Sequence, residues 1–291
     1  MKTITNATLV DYIWLLSLSA VWGSSFIAIE LALADYDPFL LAFCRILIAT
    51  IFLSLFVYFQ KLPLPKDIKT WFILLCIGIL NNAIPFYFIS WGQQYISAST
   101  ASVMLAVGPF IALVLSHYFT HDEKFTIFKL IGVILGFSGV FILLGEDFFK
   151  GQEYSLYGKI AMLLAVLGYI SSGFLIRKIS YVNTIVCSSS MLLTATIAMV
   201  PVLFFMEFKE FAYESSFLWI VYLAIFPTAL ASLVRVRLVR SVGVQFMSQV
   251  AYLIPIFAIF WSFVFFDEKP KEVLILALVF IFLGLFIRKV K

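Results

Sequence analysis

His121-Asp122-Glu123-Lys124-Phe125-Thr126-Ile127-Phe128-Lys129-Leu130-Ile131-Gly132 opens with a charged triplet set between two long apolar runs. The triplet returns 145 positions later as Asp267-Glu268-Lys269, again with apolar sequence on either side. Charge is otherwise scarce: of 291 residues, 12% are charged and 63% hydrophobic. Such a mixture cannot furnish the wettable surface of a soluble globule, so the chain is expected to lie in a lipid bilayer. Between Lys69 and Asp122 no Asp, Glu, Lys or Arg occurs. That gap is too long for one spanning helix and suits two, joined by a polar turn at Gly92-Gln93-Gln94-Tyr95-Ile96-Ser97.

Clusters of charge, Pro and Gly divide the chain into ten apolar segments, near 12–34, 38–59, 68–91, 99–119, 125–144, 157–176, 182–206, 217–236, 244–266 and 272–287. Most run for about 20 residues without sustained alternation, which predicts an all-α polytopic membrane protein rather than a barrel. The first segment is too long for a signal-peptide core and lacks a small-residue cleavage site, so it is expected to remain as a span. Fourteen Lys and Arg fall on one side of this layout and five on the other, with Arg45 inside a span. Cytoplasmic loops retain positive charge, which places both termini in the cytoplasm.

The break from Gly145 to Leu156 separates five spans from five, giving units at 12–144 and 157–288. A shift of 145 residues carries Gly139 onto Gly284, and Pro109 falls one residue short of Pro255. Pro85 and Pro227 hold comparable places in the third and eighth segments. Charged triplets alone would merely terminate helices; the shared order of Pro, acidic residue and Gly favours duplication. An odd number of spans per unit makes the two repeats insert upside down relative to each other, an arrangement found in alternating-access carriers. Cys44, Cys76 and Cys187 lie in apolar runs without ligand spacing and read as buried small hydrophobes, with no zinc or disulfide framework. The net charge of +4 comes from residues flanking spans, so no nucleic-acid partner is expected.

Trp22-Gly23-Ser24-Ser25-Phe26, Pro38 with Arg45, the run from Ser97 to Ser102 leading to Pro109, Glu123, and the Gly132, Gly136, Gly139-Val140 series follow in order through the first unit. Pro255, Glu268 and Gly284 give a sparser second set. In this the chain resembles the drug/metabolite transporter superfamily, specifically carriers built from two EamA-type domains. The resemblance implies movement of small organic solutes across the cytoplasmic membrane, often outward, with no bound cofactor. Glu30 departs from the pattern, since relatives commonly place a basic residue near the end of the first span.

Arg45 is read as the one basic residue well inside a span, about 6 Å outward of its middle. A charge at that depth faces protein or water, and Glu30 is placed to pair with it, either as a packing ion pair or beside substrate. Trp22, Ser24 and Ser25 lie near the midplane of the first span, and Ser171 and Ser172 offer a similar small-residue surface in the sixth; both suit close packing or a pocket wall. Asn81 and Asn82 before Pro85 are the strongest polar candidates for a central site, continued by Tyr87 and Trp91, with Gln249 and Tyr252 approaching from the ninth span. Interhelical hydrogen bonding is the competing reading for these amides. Pro109 and Pro255 are expected to kink their spans, and Pro85, Pro109, Pro227 and Pro255 are the candidate hinges. Glu123 and Glu268, at membrane ends, suit capping more than proton coupling. Gly132 and Gly136 form a small-xxx-small seam that suits internal packing.

The leading reading is a transporter, an exporter-type carrier of small organic metabolites or drugs working by alternating access, with proton coupling left open. A channel or structural membrane subunit is the alternative. The chain has no HExxH pair, GxSxG elbow or carboxylate pair at one membrane depth, so an enzyme is not expected.

Overall fold

The computed structural model describes residues 3–149, 155–205, 216–266 and 272–287. Asp267-Glu268-Lys269, half of the duplicated triplet, lies outside the described residues. Among the described residues ten helical segments follow one another: α1 (Leu9–Ala32), α2 (Pro38–Phe59), α3 (Ile68–Gly92), α4 (Thr100–Phe119), α5 (Ile127–Phe149), α6 (Ser155–Lys178), α7 (Thr184–Leu203), α8 (Ser216–Ser241), α9 (Val244–Phe265) and α10 (Leu274–Ile287). Eight are long and apolar enough to cross a membrane, while α5 and α10 carry shorter apolar stretches. The polar turn after α3 falls where the sequence put it.

Local chemistry explains the starts. Thr8 and Asp11 form a capping box on α1, Asp37 caps α2 ahead of Pro38, and Asp67, Ser97 and Asn183 cap α3, α4 and α7. Each supplies an oxygen to a backbone N–H that the first helical turn leaves unpaired. The start of α9 is different. Gly243 has φ +94, and the carboxylate of Glu123, distant in sequence, accepts from the N–H groups of Val244 (3.1 Å) and Gln245 (2.7 Å).

The packing is that of two five-helix repeats, α1–α5 and α6–α10, inverted relative to each other. α5 pairs with α10 and α2 with α7, while α1 against α8 is mirrored by α6 against α3, and α1 against α9 by α6 against α4. Every such contact maps onto another when each helix is exchanged for its counterpart five helices away. The third helix of each repeat also carries a π-helical bulge, Ile79–Ala83 beside Pro85 and Ile225–Leu230 around Pro227. Proline lacks an N–H and clashes with the preceding turn, so the helix must widen, and π-bulges are one way of doing so.

Small residues set the closest approaches. A Cβ on Gly284 would meet Gly132 O at 2.6 Å and Gly136 N at 2.7 Å, so the seam joins α5 to α10 within one molecule. A Cβ on Gly23 would meet Phe257 of α9 at 2.8 Å. Hydroxyl pairs Thr50–Thr196 (2.9 Å) and Ser54–Ser189 (3.1 Å) link α2 to α7. Close backbone approach and interhelical hydrogen bonds hold helices together in a membrane, where lipid removes the hydrophobic drive between them. The helices that carry Pro109 and Pro255 are interrupted at different places relative to the proline. α4 is interrupted at Ala106-Val107, just before Pro109, but α9 is interrupted at Gln249 and runs on as helix through Pro255.

Candidate functional site

The proline in α8 starts the construction of the site. In a regular helix the Leu223 carbonyl would accept from residue 227, and proline has no N–H to give. Thr228 Oγ1 donates to that carbonyl instead (2.7 Å) and in turn accepts from Arg45 Nε of α2 (2.6 Å). The Pro227 carbonyl, also displaced by the bulge, accepts from Trp22 Nε1 of α1 (3.0 Å). Arg45 is 3% exposed, and its guanidinium lies 3.9 Å from the centre of the Phe86 ring. It does not pair with Glu30, which is exposed at the far end of α1. Helical geometry turns Glu30 away from the interior that Arg45 faces.

A second arginine meets the first from the opposite repeat. Arg235 of α8 donates from Nε to Asn81 Oδ1 in the α3 bulge (2.7 Å), and from Nη2 to the Tyr169 carbonyl (2.7 Å) and Ser172 Oγ (3.2 Å) of α6. The reading of Arg45 as the one basic residue within a span is therefore corrected. α8 continues past 236 to Ser241, so Arg235 is a buried residue within the candidate span rather than part of a flanking loop. Each arginine reaches the π-bulge of the other repeat.

These groups line a central cavity of about 70 Å³, whose wall includes Trp22, Ser25, Arg45, Tyr169 and Arg235 with apolar side chains from α1, α3, α4, α6, α8 and α9. By the volume one buried water needs, that is room for roughly five waters or the polar group of a small solute. Trp22 stacks on Tyr169 with ring centres 6.2 Å apart and planes 23° apart. Ser25 donates to the Trp22 carbonyl (2.6 Å).

The remaining expected residues are distributed around this centre. Ser24 shares a 2.6 Å hydrogen bond with Tyr222. Asn82 is buried beside Asn81, its Nδ2 without a partner among the described residues. Ser172 binds Asn81 Oδ1 (3.1 Å), whereas Ser171 is half-buried and outside the cavity wall. Tyr87 and Trp91 line a separate cavity with Asp37 and Gln94. Gln249 and Tyr252 are buried but not in the central wall; Tyr252 donates to Val133 O of α5 (3.0 Å) and packs on Gly136. Tyr169, Thr228 and Arg235 are among the participants that sequence reasoning missed.

At the face from which α1 starts, the terminal face, the Asp122-Glu123 pair ties neighbouring helices together. Arg177 at the end of α6 donates to Asp122 (2.5 Å) and Glu123 (2.9 Å). Asp122 also accepts from the Ile4 N–H (3.0 Å), and Gln245 Nε2 donates to the Glu123 carbonyl (2.7 Å). Burial pushes the Asp122 carboxyl up, but the hydrogen bonds from Arg177 and Ile4 and the Arg177 charge outweigh it and hold the group below the usual aspartate range. Glu123 thus caps α9 and bridges it to α6, as a membrane-end carboxylate was expected to do.

Comparison with known proteins agrees with this architecture. A solved crystal structure superposes over 97% of this chain and 98% of its own with a TM-score of 0.80 at 16% identity, a likeness of fold. A Bacillus subtilis protein named "Uncharacterized transporter YoaV" is 22% identical over 94% of both chains. A Synechocystis protein named "Uncharacterized transporter sll0355" is 21% identical over 99% of this chain and 92% of its own. The model of the EamA-like transporter family matches twice, at residues 10–145 and 156–288. With its two inverted repeats and both halves matched, the chain belongs to the EamA-like transporter family and is a multi-pass membrane transporter.

Proposed function

We propose that this transporter carries small organic solutes by alternating access through the central cavity, with residues 12–144 and 157–288 as the two units that rock against each other. The observation that supports this best is the reciprocal anchoring of Arg45 and Arg235, each holding the π-bulge of the opposite repeat at the cavity wall. Bulged helices leave backbone groups able to exchange partners, which suits them to bend as a cavity changes its opening. Pro85, Pro227 and the break before Pro109 are the hinges in this reading. The bond network of Asp122, Glu123 and Arg177 is the gate of the terminal face, which must part when that face opens.

The excess of Lys and Arg on the side of the layout that holds both termini supports a cytoplasmic terminal face, in the cytoplasmic membrane. Export is the working direction on this reading, with the gate closed between turnovers. The test is counterflow into proteoliposomes loaded with a broad panel of metabolites and drugs. Saturable counterflow supports the carrier; unitary currents would favour a channel, and leak alone with every solute would overturn the reading.

A further inference from the structure

Arg45 and Arg235 stand together in the wall of the central cavity, 3% and 6% exposed. Each uses its Nε on a neutral oxygen, of Thr228 and of Asn81. Among the described residues no carboxylate pairs with either. The terminal nitrogens of Arg45 make no hydrogen bond to described residues, yet they are not sealed from the cavity that the residue lines. Arginine stays protonated in proteins, so two positive charges persist at this depth without a matching negative one. That arrangement is costly, and intramembrane charges of this kind mark substrate pathways.

The surroundings narrow the chemistry. Tyr169 lines the same cavity as both arginines, and the centre of its ring lies 5.3 Å from the Arg235 guanidinium carbon. Trp22 extends the same flat wall, and the other lining side chains are largely apolar. From this we infer that the cavity takes a small organic anion, its carboxylate or phosphate held between Arg45 and Arg235 and its flat or apolar body against Trp22 and Tyr169. Planar guanidinium groups match both headgroups through paired, charge-assisted hydrogen bonds. The inference rests on the carrier reading for the use of the site, but not for binding itself.

The experiment uses the full chain in lipid nanodiscs, with thermal shift and competition binding of probes on one phenethyl skeleton: 3-phenylpropanoate, its amide, 3-phenylpropylamine and 2-phenylethyl phosphate, with inorganic phosphate alongside. The carboxylate or the phosphate ester is expected to stabilise the protein and the amide and amine not to, and the stronger of the two acids identifies the headgroup. Arg45→Gln and Arg235→Gln should each weaken that binding by at least about tenfold, with partial recovery in Arg45→Lys and Arg235→Lys. Equal stabilisation by the amide or amine, unchanged binding by both Gln variants, an effect of inorganic phosphate alone, or no stabilisation by any anion at millimolar concentration would each overturn the inference. Should a Gln variant not fold, the charge series on the parent protein and the Lys variants decide. Anion binding without counterflow would sink the carrier reading and leave the anion site standing; counterflow of neutral solutes that ignores both arginines would do the reverse.

Discussion

Asn81 accepts hydrogen bonds from Arg235 and Ser172, whereas the amide nitrogen of neighbouring Asn82 is buried with no partner among the described residues. Substitution at the two positions should therefore differ. Asn81→Ala strips a buried guanidinium of its acceptor, which should cost about 1–3 kcal/mol of stability and most of the transport. Asn82→Ala relieves an unpaired donor while removing the Oδ1 that Asn81 donates to (3.2 Å), and should cost clearly less. Melting curves of the two variants in the same detergent, beside counterflow rates, check the order; equal melting would contradict it. The asparagines were legible in the sequence because amides before a proline at mid-span are conspicuous. Their partner was not. Arg235 sits in Val234-Arg235-Val236-Arg237, which reads as the basic end of a span until the true length of α8 is known.

At the scale of the element, the cap on α9 is the most sensitive joint. A Cβ on Gly243 would lie 2.4 Å from Glu123 Oε1, and its φ of +94 suits only glycine well. Gly243→Ala should cost about 1–2 kcal/mol through backbone conformation alone, and it should also displace the carboxylate that joins α9 to α6. A lower melting temperature together with faster labelling of a cysteine placed at Ser248, which lines the cavity, is the expected outcome. The α5–α10 seam makes a second case. Gly284→Val would drive two methyl groups into the backbone of Gly132 and Gly136, an overpacking expected to cost about 1–3 kcal/mol, read as a loss of thermal stability. The small-xxx-small spacing of this seam was visible in one dimension and suited internal packing, but its partner helix had no signal in the sequence. That Glu123 would cap a helix more than a hundred residues away had no local signal.

For the whole molecule, the gate gives a dependence on pH. Asp122 has a depressed pKa in the fold, so its contribution is complete above the ordinary aspartate value and disappears as pH falls through the lower, folded value. Arg177 and Glu123 are the charged groups in contact around it. Acidification below the usual aspartate range should therefore loosen the terminal face, and Asp122→Asn should loosen it at neutral pH. Labelling of the Ser248→Cys reporter as a function of pH checks both; a flat profile in the parent, unchanged in Asp122→Asn, would remove Asp122 from the gate.

Composition, hydropathy and the duplicated triplet by themselves determined that this chain is a ten-helix membrane protein made of two opposed units. Those properties follow from what lipid demands of each segment independently: about 20 apolar residues per crossing, charge at the ends, and orientation by basic residues. The tertiary structure alone decided which polar groups meet. Arg45 chose Thr228 over Glu30, Arg235 entered the cavity, Tyr252 turned to α5, and Glu123 crossed to α9. Buried polar groups are held by partners distant in sequence, and those partners are set by helix rotation and by the bulges at Pro85 and Pro227, which no single segment encodes.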